Sequence, residues 1–372
     1  MLPVLDRYME YAEDAELSVI IQDSQKGLWY PHTHEEEETY SEHLGLPGLT
    51  ALRALFQQSR RIRNLTLDVP LDISYCLSSA QLPDHTLRLP VLHSLKFVDE
   101  VLWEDLMAEQ RLQVSAPILA DLTIAEWTTQ PLEYAVRGYF AELLPLHQLK
   151  SFKMAEVDNY TDLVAGILRH CTQLDKLDIG GTMNASRPFH VPLAHEVVLS
   201  NLRHLSLAYT GSGRHDIFFE MVRLPALETL SVRQANHMHF QWPTVGLLKM
   251  VRRSKAHLKH IDINLPNVIL WDSEPNEGAA HGSMFELLRL SPDLHSFHVN
   301  LAHGDSLFSS LEKLADSGVR FPKLKDVMIR TIDITDRTDT VNHRSLARHQ
   351  SLTCLCFSSS LVPLGLEIDG TC

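Results

Sequence analysis

The stretch "RLPALETLSV", Arg223–Val232, decides how the chain is read. Pro225 is followed by leucines at 227 and 230 and by Val232, with Thr229 and Ser231 between the last three. That is an L-x-x-L-x-L phrase in which apolar and polar residues alternate from the fourth position on. Alternation with period two is the mark of a short strand with one buried face.

The phrase recurs. It reads "IRNLTL" from 62, "LHSLKF" from 92, "LADLTI" from 119, "LKSFKM" from 149, "LDKLDI" from 174 and "LRHLSL" from 202. It continues as "LETLSV" from 227, "LKHIDI" from 258, "LHSFHV" from 294, "LKDVMI" from 324 and "LTCLCF" from 352. These eleven copies span ten intervals between 62 and 352, about 29 residues each. Five of them carry a proline two residues before the first leucine: Pro90, Pro117, Pro225, Pro292 and Pro322. Proline there marks the start of a strand, before a ladder N–H is needed.

Between the copies lie helix-like patterns with apolar residues three and four apart. They are "TALRALFQQSRRI" (50–62), "EYAVRGYFAELLP" (133–145), "TDLVAGILRHC" (161–171), "PTVGLLKMVRRS" (243–254) and "DSLFSSLEKLADSG" (305–318). Thr161 and Asp305 suit helix N-caps, Pro243 a first helical turn and Gly318 a helix C-terminus. A strand and a helix every 29 residues or so predict an α/β solenoid. Eleven parallel strands then line a concave side, with helices on the convex side. Residues 1–61 are expected to cap this array, which occupies 62–372. Asp178, Thr229 and Asp262 are expected to be substantially exposed, and Leu177, Leu230 and Ile261 buried.

This pattern resembles the leucine-rich-repeat family over about four-fifths of the chain. The commonest version places Asn or Cys just after the strand, whereas here Pro70, Glu100, Trp127, Val157 and Met183 stand there. The long, irregular copies are similar to fungal F-box/leucine-rich-repeat proteins. "LDRYMEYAEDAELSVII" (5–21) and "ALFQQSRRIRNLTLDV" (54–69) resemble two segments that follow the F-box in that group. The F-box itself has no room before Leu5. The resemblance therefore implies a substrate-recognition role in a ubiquitin ligase, with a cullin-type adaptor as partner only if an F-box lies upstream. The alternative is a stand-alone repeat scaffold or regulator.

Composition narrows the function. The 372 residues are 44% hydrophobic and 22% charged, an ordinary folded balance, and the formal net charge is −14. That charge disfavours non-specific binding to nucleic acid or anionic membrane. Five scattered cysteines predict reduced thiols and not a disulfide framework. The first 21 residues hold five acidic side chains and lack a basic segment followed by an apolar run, so no secretion signal is read. An intracellular location, cytoplasmic or nuclear, is expected, and the sequons at Asn64, Asn159 and Asn184 are taken as chance.

The third, fifth and seventh residues of each copy are expected to face outward from the sheet, where they form a polar surface of mixed sign. Such a surface suits recognition of a protein partner through complementary charge. Candidate binding residues are Lys153, Asp178, His204, Arg233, His260, Asp262, His298, Asp326 and Arg330. The competing reading is a solvated sheet face with no ligand.

Twenty-one histidines raise the question of a metal. "HTH" (32–34) and "HMH" (237–239) lack two further convergent ligands, so they read as loop histidines. His260, Asp262 and His298 form the best local cluster, a candidate for a weak metal site or a pH-sensitive contact. "CLC" (354–356) is not the C-x-x-C redox motif, and "TGSGRHD" (210–216) lacks the lysine of a phosphate loop. No catalytic residue, cofactor or metal is assigned, and the chain is read as a non-enzymatic interaction module, with an enzyme built on the concave face as a further alternative. The four glutamates at 35–38 predict an acidic loop. The 264–285 insertion, with "VILW" at 268–271, is a second variable segment of unknown role.

Overall fold

The computed structural model describes residues 7, 11–12, 14–22, 54–68, 86–98, 113–125, 144–155, 161–181, 196–209, 216–234, 244–265, 286–301, 316–318, 320–334 and 350–358. The segments 32–43, 210–215, 237–239 and 266–285 singled out above lie outside them, as do Asp305 and Pro243. In chain order the strands are β1 (Leu17–Gln22), β2 (Ile62–Asp68), β3 (Thr86–Arg88), β4 (Ser94–Phe97), β5 (Gln113–Ser115), β6 (Asp121–Ile124), β7 (Ser151–Met154) and β8 (Lys176–Gly181). They continue with β9 (Val197–Val198), β10 (His204–Tyr209), β11 (Val222–Arg223), β12 (Thr229–Gln234), β13 (His260–Leu265), β14 (Ser296–Leu301), β15 (Asp326–Ile334) and β16 (Gln350–Ser358). Among the described residues the longer helices are α1 (Thr161–Leu168), α2 (Asp216–Met221) and α3 (Thr244–Ser254).

The backbone divides into two compact units, Met1–Leu202 with Gly213–Arg223, and Arg203–Ser212 with Leu224–Cys372. In the first, β1, β2, β4, β6, β7 and β8 are hydrogen-bonded neighbours in that order and all parallel. Two short parallel pairs, β3 with β5 and β9 with β11, accompany them. In the second unit β10, β12, β13, β14 and β15 run parallel in order, and β16 closes on β15 antiparallel. Each of the eleven sequence copies thus supplies one strand, and β1 adds a twelfth. The protein is a mixed α/β chain, and eleven of these twelve strands run parallel to their neighbours. The eleventh copy departs from the all-parallel expectation: its strand runs back along β15, from Asp326↔Ser358 to Ile334↔Gln350.

Register follows copy position. Thr229 pairs with His260, His260 with Ser296 and Ser296 with Asp326, all third residues of their copies. In the first nine copies the fourth and sixth positions are buried, as in Leu177 (1% exposed), Leu230 (0%) and Ile261 (1%), and in the tenth Val327 is half-buried. A one-residue slip would turn these side chains outward, so the apolar pattern fixes the pairing. Asp178, Thr229 and Asp262 point to the other face but are only half-buried, not substantially exposed. Neighbouring strands stand only about 4.8 Å apart, so flanking side chains cover part of each.

A repeated turn leads into the strands. The N–H of the first residue of a copy donates to the carbonyl three residues earlier: Leu92 to Leu89, Leu119 to Ala116, Leu227 to Leu224 and Leu294 to Ser291. Prolines 90, 117, 225 and 292 therefore occupy the second position of a β-turn, where a φ near −65° is preset. The residue before each proline is part of the core: Leu89, Ala116, Leu224 and Ser291 are at most 1% exposed. This extra buried position, three before the first leucine, is absent from the six-residue phrase. Where a polar or thiol side chain fills it, the side chain finds an acceptor. Ser291 Oγ donates to the Leu287 carbonyl at 2.8 Å, and Cys171 Sγ to the Ile167 carbonyl at 3.5 Å.

In several copies the carbonyl of the second position accepts two N–H groups of the next copy. Arg203 accepts from Glu228 and Thr229 at 3.0 and 2.8 Å, and Glu228 from Lys259 and His260 at 2.7 and 3.0 Å. Lys259 accepts from His295 and Ser296, and His295 from Lys325 and Asp326. The same pattern joins His93 to Ala120 and Asp121, and Ala120 to Lys150 and Ser151.

Of the five expected helices, α1 and α3 fall within 161–171 and 243–254, residues 54–57 of the 50–62 stretch are helical, and the other two lie mostly outside the described residues. Of 133–145 only Leu144 and Pro145 are described, followed by a 3-10 turn at Leu146–Gln148. Of 305–318 only 316–318 are described, and Gly318 has φ +73° in accord with a helix C-terminus. Helix α1 buries Val164, Ile167 and Leu168, and α2 buries Phe218 and Phe219, whose rings meet edge-to-face at 5.7 Å. Helix α3 buries Leu247, Met250 and Val251, and places Arg252 and Arg253 in its last turn, where they complement the helix dipole. It ends with Lys255 at φ 52°. The Ala256 N–H donates to Val251 and the Lys255 N–H to Arg252, the double closure usually built on glycine.

Two substitutions test this geometry. A Cβ at Gly180 would collide with the Ala155 carbonyl oxygen on the neighbouring chain segment. Gly180→Ala is expected to destabilise by roughly 1–3 kcal/mol, read as a lower urea midpoint. Lys255→Gly relieves a left-handed backbone, and is expected to stabilise by about 0.5–1 kcal/mol after the added chain entropy of glycine is subtracted.

Candidate interaction face

The strands present their third, fifth and seventh residues on one side, opposite the buried row. In the first unit Lys153 on β7 and Asp178 on β8 are register partners, with Nζ 3.4 Å from Oδ2. Asn64 on β2 donates to Ser18 on β1 at 2.9 Å. That bond occupies the amide of the first sequon inside a parallel pair.

The other seven candidates lie in the second unit. His204 is half-buried on β10. Arg233 on β12 donates to Ser206 Oγ on β10 at 2.9 Å. Asp262 on β13 accepts from Ser231 on β12 at 3.4 Å. His260 Nδ1 lies 2.8 Å from Ser296 Oγ, and its ring centroid is 5.9 Å from that of His295. His298 Nε2 lies 2.7 Å from Asp326 Oδ2, and because a carboxylate only accepts, that nitrogen carries the proton. Arg330 is exposed on β15, with no hydrogen-bond or ion-pair partner among the described residues.

The expected cluster of His260, Asp262 and His298 does not converge. Asp262 and His298 are register partners, yet each turns to a different neighbour, Ser231 and Asp326. Among the described residues no three His, Cys, Asp or Glu side chains gather as a metal-binding group. Cys354 and Cys356 stand in register with Arg330 and Met328.

Several residues of this face did not stand out in the sequence. Ser206, Ser231, Ser296 and the pair Asn264–Asn300, joined at 2.9 Å, occupy the same copy positions as the charged residues. Their signal was that shared position, which charge alone conceals. A second charged row runs along the turns. Lys259 reaches Glu228 at 2.7 Å, Lys323 reaches Asp293 at 2.6 Å, and Arg252 and Arg289 share Glu286 at 2.7 and 2.9 Å.

These contacts shift ionisation in a consistent way. The hydrogen bond from Lys259 holds Glu228 below its ordinary range, that from Arg289 does so for Glu286, and that from Lys323 for Asp293. Lost hydration, and then the neighbouring His295, lower His260 below its usual value. Burial pushes the Cys171 thiol up to about 12, which leaves it inert as a nucleophile. No helix among the described residues is long and apolar enough to cross a membrane.

No known protein family, no curated protein and no solved structure matches the chain.

The His260 shift carries a sign. Its folded value lies below 6.5, the value of the free side chain. As pH falls through 6.5 the unfolded chain therefore takes up the proton first, and stability is lost. The urea midpoint is expected to drop slightly between pH 7 and pH 5, and His260→Gln to remove part of that drop. The carboxylates act in a lower window. Their stabilisation is present above about pH 4.5 and is lost as pH falls further, so the drop in Lys259→Met between pH 5 and pH 3 is expected to be shallower.

Proposed function

We propose that this chain is a leucine-rich-repeat solenoid that works as a non-enzymatic protein-interaction module, with the outward strand face as its recognition surface. The ubiquitin-ligase form of the reading makes it the substrate-recognition part of an F-box-type receptor. The observation that carries the proposal is the position-matched register of the copies. It repeats one outward triplet from strand to strand and, Gly180 apart, leaves the fold largely independent of what those triplets contain. Specificity can then be written within each unit, in residues such as Lys153 and Asp178 of the first and His204 and Arg233 of the second, without disturbing the buried row. The mixed signs on that face suit a protein partner better than a polyanion, which the net charge of −14 would repel.

The test is affinity capture by the full chain against charge-reversed forms. Lys153→Glu and His204→Glu are expected to lose a partner that wild type retains, whereas Arg320→Glu, in an exposed turn before β15, keeps it. Equal capture by all forms would overturn the face as the recognition surface. Binding of a purified cullin-ligase adaptor, by this chain or by a product extended at its N-terminus, supports the ubiquitin-ligase form. A face-dependent partner captured with no adaptor supports the stand-alone scaffold.

A further inference from the structure

The seventh positions of the second unit form a row unlike the other two. From β12 to β15 they are Arg233, Asn264, Asn300 and Arg330, in consecutive register. The row holds two guanidiniums and no carboxylate. The acidic residues of this face, Asp262 and Asp326, stand at the fifth and third positions, already engaged by Ser231 and His298. Arg233, Asn264 and Arg330 are exposed. Asn300 donates its amide to Asn264 Oδ1 at 2.9 Å, and its own Oδ1 is shielded from solvent with no partner among the described residues. An acceptor left in that state carries an uncompensated loss of hydration, which a donor brought by a ligand would relieve.

We infer that this row binds an extended acidic peptide segment of a partner protein, laid across the strands. Its carboxylates meet Arg233 and Arg330, and its backbone amides meet the Asn264–Asn300 pair. The inference rests on the interaction reading above and names the chemistry that reading leaves open. Spacing supports it. Arg233 and Arg330 are three strand steps apart, about 14 Å at about 4.8 Å per step. An extended peptide rises about 3.4 Å per residue, so four residues cover the same distance. An even separation also puts both side chains on one side of the peptide. The row therefore selects carboxylates at i and i+4. Guanidinium pairs well with carboxylate because its planar fork of donors matches the two oxygens. The acidic net charge of the chain does not forbid this, since charges more than about 8 Å away are largely screened at physiological salt.

The test is fluorescence polarisation of labelled glycine-serine-alanine decapeptides with the full chain. One peptide carries glutamates four residues apart, one carries them three apart, and one carries glutamines. The i, i+4 glutamate peptide is expected to bind. Replacing its glutamates with glutamine, or Arg330→Gln in the protein, is expected to weaken binding about tenfold. Asn264→Ala and the three-residue spacing are expected to weaken it too. Unchanged thermal melts of both variants establish that the fold is kept. Equal binding of glutamate and glutamine peptides, no binding of either, or no effect of Arg330→Gln would overturn the proposal. The capture experiment separates it from the parent reading. A partner that depends on Lys153 and His204 but ignores Arg330→Gln and Asn264→Ala removes the acidic-peptide row and leaves the interaction face standing. Loss of all face-dependent capture removes both.

Discussion

The structure depends on one backbone arrangement: a single carbonyl that accepts two N–H groups from the copy after it. In the second unit, Arg203, Glu228, Lys259 and His295 each do this for the next strand. The bond is blind to side chain, since arginine, glutamate, lysine and histidine all serve. It fixes where the next strand begins, so the alternation of leucines need only decide which side faces in. Side chains at these second positions are then free to build the charged row of Lys259 with Glu228 along the turns.

Much of this was legible in the sequence. All eleven phrases fell on strands, and the inward and outward residues of copies such as Thr229–Leu230–Ser231 were assigned correctly. Pattern suffices there, because period-two burial is a local property that neighbours only reinforce. What escaped depends on more than one copy. Leu89, Leu224 and Ser291 are buried because the turn around the following proline folds them in, a geometry that a strand template does not contain. The reversal of β16 also escaped, since an alternating strand reads the same whichever way its partner runs.

The candidate face was legible as a surface but not as a set of contacts. Its charged residues were named as candidates, whereas the serines that bond to them were not. Ser231 restrains Asp262 and Ser296 restrains His260, and so the apparent cluster of two histidines and an aspartate becomes separate pairs. Sequence spacing places side chains on a common face. Which neighbour each one turns to is settled by hydrogen-bond geometry across strands only about 4.8 Å apart.

The antiparallel fit of β16 on β15 has a consequence for how copies of this molecule meet one another. A stack of like strands can in principle recruit a further like strand, whether from its own chain or from another molecule, because each rung offers the same evenly spaced, slanted bonds. A reversed strand instead pairs through alternating narrow and wide rungs set square to the chain. A parallel strand arriving at β16 would not find the bonding pattern that β10 to β15 share. One turnabout in chain direction thus ends the parallel stack: a further strand running in the sense of β10 to β15 would have to pair with β16 antiparallel, as β15 does.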